Sequence, residues 1–248
     1  MNYKTLEIER DGAVAYVFMN RPERRNALDH TILEELAEAF TALQRAFEVK
    51  VVVLAGRGKS FSSGADRKEG GPTNRRAEDD TGRARRYASQ VGRRAMAAIT
   101  DLEAMTIAKV HGHAVGGGFC LALACDFRIA ASGTRFRIPE VELAVPLTWG
   151  AVPRLIYEVG PLRAREWVAL ADWIEAEEAL DAGFLNRVVA ADSLDDEVSR
   201  WAEKLAAQPE LALHMTKTQF RGYAKTAFFG DATETDGDII SAAAQTDE

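Results

Sequence analysis

With 248 residues, 47% of them hydrophobic and 28% charged, the chain has the composition of a soluble globular protein and the length of one large domain or two small ones. A formal net charge of −7 argues against a nucleic-acid-binding surface spread over the molecule. The only two cysteines, Cys120 and Cys125, form neither a CxxC pair nor a disulfide framework, which suits a reducing cytoplasm, and no apolar run approaches a membrane span.

In chain order, Met1-Asn2-Tyr3-Lys4 opens without an apolar leader. Ala13–Met19 is β-rich and ends in the turn signal Asn20-Arg21-Pro22. From Asp29, a good N-cap, Ile32, Leu36, Phe40, Leu43 and Phe47 recur at helical spacing and predict an amphipathic helix. Val51–Ala55 is a wholly apolar strand of the kind covered on both faces. Residues 66–86 are polar and glycine-containing and read as a surface loop, or as a lid if they lie beside the chemistry. A second crossover unit runs from strand 107–110 through helix 117–125 to strand 127–130, so the fold class is α/β. The tail from about 195 reads as helices, carrying Trp201, Leu205 and Ala206, then Leu211, Met215, Phe220 and Tyr223.

The most informative segment is Ile107–Gly118, a β-branched strand running into Gly116-Gly117-Gly118 where a helix opens. Glycines there leave unpaired N–H groups with no side chain in front of them, a place for a phosphate or for an oxygen that gains charge during a reaction. Val115 breaks a GxGxxG pattern, Val53 stands where a P-loop needs glycine, and no GxSxG elbow exists. His111 and His113 have no acidic or cysteine partner at ligand spacing and read as structural, with no metal expected. A second turn of small residues, Ser60–Asp66, follows the apolar strand. One N–H from each turn would make a two-donor oxyanion hole, in which losing one donor typically costs ~3–4 kcal/mol of transition-state stabilisation.

Four motifs in register resemble the crotonase superfamily, the enoyl-CoA hydratase/isomerase group: Asn20–Leu28, Phe61–Asp66, His111–Gly118 with Ala124-Cys125-Asp126, and Pro139–Leu143. A further stretch, Ala176–Val189, is similar to that group as well, and the resemblance spans about residues 3–240. It implies a spiral of ββα units forming two roughly perpendicular sheets over residues 1–194, with a helical region, 195–248, used for assembly into trimers or dimers of trimers. It implies an acyl-CoA thioester as ligand, with coenzyme A part of the substrate and no separate cofactor, nucleic acid or membrane partner. The donor pair maps onto Ala65 and Gly117. CoA-binding positions map onto Arg24, Ala27, Leu28, Gly64, Asp66, Arg67 and Gly116, and Lys217 falls where a lysine reaches CoA phosphate from a neighbouring subunit.

The chain departs from the hydratases of that group at one position. They hold water between two glutamates; the second matches Glu140, but Cys120 replaces the first. A neutral thiol is a poor general base. The resemblance therefore favours double-bond isomerisation of an enoyl-CoA by the single base Glu140, with hydration, or acyl-CoA binding without chemistry, as alternatives. If 139–143 is extended, Glu142 shares a side with Glu140 and could supply a second carboxylate; otherwise it is a surface position. Cys120 and Trp149 fall at the acyl pocket, where Trp149 could limit the acyl chain. The group usually carries one more basic helix beyond Thr246-Asp247-Glu248.

Overall fold

The computed structural model describes residues 3–69, 81–226 and 236–243. Two sheets organise them. Strands β1 (Leu6–Asp11), β2 (Val14–Met19), β3 (Val51–Gly56), β4 (Met105–Val110), β6 (Phe127–Ala131) and β9 (Arg187–Val189) form a six-stranded sheet in the order β1-β2-β3-β4-β6-β9. Only β1 and β2 are antiparallel; the other neighbours are parallel. Strands β5 (His113–Val115), β7 (Arg135–Arg137) and β8 (Ile174–Glu175) form the smaller sheet.

Parallel pairing requires crossovers, and between β2 and β6 these contain the helices α1 (His30–Leu43), α2 (Gly82–Ser89), α3 (Val91–Asp101) and α4 (Gly117–Leu123). Asp29 caps α1, its carboxylate accepting the Ile32 N–H at 3.0 Å. The helix stops at Leu43, so Phe47 lies beyond it and is exposed rather than on the apolar stripe. Every residue of β3 is buried. Val52 and Leu54 join the main core with α1, α3 and α4, while Val51 and Val53 face a second cluster with Leu194, Val198 and Ala202 of α7 (Leu194–Ala206). Period-two alternation thus lets one apolar run serve two cores. The segment expected to serve assembly therefore begins with a helix that covers the far face of the main sheet.

The polar stretch after Asp66 is not uniformly a loop. Arg67–Glu69 is a 3-10 turn, and Thr81 caps α2 by accepting the Ala84 N–H at 3.2 Å. The rest of the expected lid, 70–80, lies outside the described residues. After β7 come a 3-10 turn (Glu140–Leu143), α5 (Ala151–Leu170, broken at Gly160-Pro161) and α6 (Ala176–Asp181). Helix α8 (Glu210–Ala224) follows α7, and α9 (Asp236–Ala243) lies against α2. Thr246-Asp247-Glu248 fall outside the described residues.

Candidate active site

The two small-residue turns are stitched together by backbone bonds. Phe61 N–H donates to His111 O at 2.9 Å, Ser62 N–H to His113 O at 3.0 Å and Val115 N–H to Ser62 O at 3.1 Å. Beyond these bonds the chains diverge around a cavity of ≈ 360 Å³, whose lining includes Gly64, Ala65, Arg67, Gly116, Gly117, Cys120, Glu140, Leu147 and Trp149.

Most N–H groups of the two turns have protein acceptors. Ser63 donates to Arg25 O, Gly64 to Ser62 Oγ and Asp66 to Leu28 O. On the other turn, Gly116 donates to Arg137 O, and Cys120 closes the first helical bond to Gly116 O. Among the described residues, the Ala65 and Gly117 N–H groups donate to no protein acceptor. Gly117 is the first residue of α4, where an N–H lacks an intrahelical partner and carries the positive end of the helix dipole. An aromatic cluster anchors the helix from behind: Phe119 stacks on Phe184 at 4.6 Å and meets Phe136 and Trp167 edge-on.

Glu140 opens its 3-10 turn with a half-buried side chain aimed into the same cavity. Its Oε2 is buried without a hydrogen-bond partner among the described residues. Desolvation by burial pushes the carboxyl up to about 7. Glycine at 116 permits this placement, since a Cβ there would lie 2.8 Å from Glu140 Oε1, in a backbone already at φ 51°. Cys120 is buried on α4, and burial first, then the charges of Glu140 and Asp236, push its thiol well above the usual range. It is therefore a neutral wall group, unable to serve as a base near neutral pH.

Glu142 does not share a side with Glu140 on an extended strand. Pro139 sits at φ −86°, ψ 9° and starts a turn, and the Glu142 carboxylate pairs with Arg137 at 2.7 Å. Asp66 is buried, bonded to Arg21 at 2.9 Å and 3.6 Å from Arg24. It ties the Asn20–Leu28 motif to the second turn, as does Leu28, whose N–H donates to Gly64 O at 2.8 Å. Ala27 is buried next to it, and Arg24 stands at the end of the 3-10 turn Pro22–Arg24, near the cavity's Gly64 side.

Lys217 is placed elsewhere. It is buried, with Nζ 2.7 Å from Asp126 Oδ2 and donating to Ala104 O at 2.8 Å. It lines a separate cavity of ≈ 450 Å³ with Asp126, Tyr157 and Phe220. Within one chain this ammonium is desolvated and paired, a structural ion pair rather than a free cation; the expected contact is to coenzyme A held by a neighbouring copy.

Sequence reasoning passed over Arg21, which pairs with Asp29 at 3.2 Å as well as with Asp66, and Asn26, whose amide donates to Arg57 O and Ser60 O. Both lie in the Asn20–Leu28 motif, and a buried asparagine there is the signal that a turn needs internal partners. It also passed over Gly92, which packs against the Trp149 ring, and Asp236, which accepts the Gly150 N–H.

Residues 9–247 match the sequence model of the enoyl-CoA hydratase/isomerase family. The chain belongs to this family. It is 36% identical over 218 residues to a crotonyl-CoA hydratase of Syntrophomonas wolfei, covering 88% of this chain and 81% of that one. It is 35% identical over 225 residues to a peroxisomal Delta(3,5)-Delta(2,4)-dienoyl-CoA isomerase of Arabidopsis thaliana, covering 87% and 81%. Among solved structures, a Thermobifida fusca YX protein in complex with acetoacetyl-CoA superposes with a TM-score of 0.82 at 29% identity, covering 97% of this chain and 93% of that one. The crotonase-type α/β fold with two sheets is thereby shown.

Proposed function

We propose that the cavity binds an enoyl-CoA thioester and moves its double bond from the 3,4 to the 2,3 position. The thioester oxygen accepts from Ala65 and Gly117 N–H. The Glu140 carboxylate takes a proton from C2, and the electron pair moves into a dienolate whose negative oxygen the two donors hold. The protonated Glu140 then returns the proton at C4. No oxidation state changes overall, so the chemistry calls for no cofactor beyond the coenzyme A carried by the substrate.

One observation carries this reading: a buried, unpartnered carboxyl with a pKa near neutrality shares a cavity with two unengaged amides. A general base works best when its pKa lies near the operating pH. The relationship to the Syntrophomonas wolfei hydratase favours a second reading, water addition to a 2-enoyl-CoA. The neutral Cys120 and the paired Glu142 weigh against it, because neither supplies the second carboxylate that would hold and activate water.

The test is a panel of 3-enoyl- and 2-enoyl-CoA thioesters, followed by ultraviolet absorbance and mass spectrometry, on wild type and Glu140→Gln. We expect conversion of the 3-enoyl substrate without mass gain, and a loss of ~10²–10⁴-fold in turnover in the variant. Rapid addition of water to the 2-enoyl substrate would overturn the single-base mechanism. Tight binding with no turnover of any thioester would reduce the protein to a carrier. Two free, buried cysteines suit a reducing, cytoplasmic setting. We further propose that the exposed apolar side chains of α8 join copies of this chain into a trimer or hexamer.

A further inference from the structure

Trp149 and Gly150 both adopt left-handed backbone, φ 63° and 73°. Glycine does so freely; a bulky residue rarely does. The turn aims the indole into a slot that two glycines leave open. A Cβ at Gly92, on α3, would lie 1.9 Å from Trp149 Cε2, and a Cβ at Gly117 would lie 2.6 Å from Trp149 Cη2. The ring therefore lies against the residue whose N–H faces the cavity, on the wall that also holds Cys120 and Leu147. An acyl chain running inward past Gly117 meets this ring.

The turn has a fastening of its own. Asp236, the first residue of α9, accepts the Gly150 N–H on Oδ2 at 2.6 Å. Gly150 is the N-cap of α5, where open N–H groups favour a carboxylate. Helix α9 is itself seated on α2. Gly237 packs so closely on Gln90 and Ser89 that a Cβ would lie 2.5–2.7 Å from them, and Asp238 pairs with Arg86 through two bonds of 2.8 and 3.0 Å.

We infer that Trp149 determines the acyl length this site accepts, and that Asp236 is the positioning residue that holds it, so that the docked α9 restricts the pocket to short chains. The inference rests on the acyl-CoA reading above but not on which reaction follows.

Binding of saturated thioesters tests it without catalysis. Butyryl-CoA and decanoyl-CoA are titrated calorimetrically into wild type, Trp149→Ala, Trp149→Phe, Asp236→Ala and Asp236→Asn. Wild type is expected to prefer butyryl-CoA by about tenfold or more, the scale on which a closed hydrophobic pocket rejects added methylenes. Trp149→Ala and Asp236→Ala are expected to erase that preference. Asp236→Asn keeps an acceptor oxygen and is expected to retain it, which a merely structural role for the segment does not predict. Trp149→Phe preserves the fold if the alanine variant fails to, and is expected to shift the preference partway. If butyryl-CoA binds but every variant shows the wild-type preference, or wild type shows none, this inference is overturned alone. If no thioester binds to wild type, the acyl-CoA reading falls and takes this inference with it.

Discussion

Glu140 illustrates how a single residue can cost the fold stability while serving the site. Its carboxyl is drawn from water without a partner, and burial raises its pKa from about 4.5 to about 7. The native state thus binds the proton more tightly than the unfolded chain. Stability is fully present below the unfolded value and is lost as pH rises through 7. At ~1.4 kcal/mol per unit the loss reaches about 3 kcal/mol. Glu140→Gln, which stays neutral, is therefore expected to be more stable than wild type by about that amount at pH 8.5, the gap closing toward pH 4.5; urea unfolding across this range measures it. A gap independent of pH would mean that burial does not tune this carboxyl. The same titration shapes catalysis. In the proposed reaction the ionised form is the base, so kcat/KM is expected to rise about tenfold per pH unit below 7 and to level off above it, with the midpoint read from a pH–rate profile.

At the scale of elements, Lys217 shows what a helix position can hide. Its ammonium pins α8 to Asp126, which also accepts from Thr106 N–H and Oγ1 at 2.7 and 2.8 Å. Removing one member of a buried pair leaves the other uncompensated, a loss of 3–5 kcal/mol in full burial. Asp126 is 25% exposed, so Lys217→Met is expected to cost about 2–3 kcal/mol in urea unfolding while leaving the Kd for butyryl-CoA unchanged. A large loss of thioester affinity at full fold would restore a phosphate contact there. Strands β2, β3, β4 and β6 and both small-residue turns were legible in the sequence because apolar runs and clustered small residues are local signals, whereas β1, β5, β7, β8 and β9, mostly short or charged, were not read. That Ala65, Gly117 and Glu140 line one cavity agrees with the placement the turns and the resemblance suggested. Glu142 stands at an exposed position, the alternative to an extended 139–143, because Pro139 starts a turn there. Helix α2 was hidden by its arginines, its one local sign being the Thr81 cap. The Trp149 slot and its Asp236 fastening join residues far apart in sequence, and no local pattern announces such contacts.

On the scale of the whole molecule, the periodic apolar residues of α8 point the wrong way for a lone chain. Leu211, Met215, Phe220 and Tyr223 are 57–77% exposed, whereas Lys217 and Ala224 face inward. Phe220 also edges the ≈ 450 Å³ cavity beside Leu123 and Tyr157. Large exposed apolar side chains of this kind are a poor surface for a monomer and a suitable one for association, since burying one of them contributes about 1.5–3 kcal/mol. Glutamate at both Met215 and Phe220 is expected to lower the mass measured by light scattering to that of a single chain; an unchanged mass would place the interface elsewhere. The cavity between the two turns is lined from one chain by α4, the two turns, Glu140 and Trp149. The dissociated double variant is therefore expected to bind butyryl-CoA within a fewfold of wild type. A collapse of affinity on dissociation, with the fold intact by circular dichroism, would instead show that a neighbouring copy completes the site, and that the acidic chain relies on its partner for the cations that meet coenzyme A.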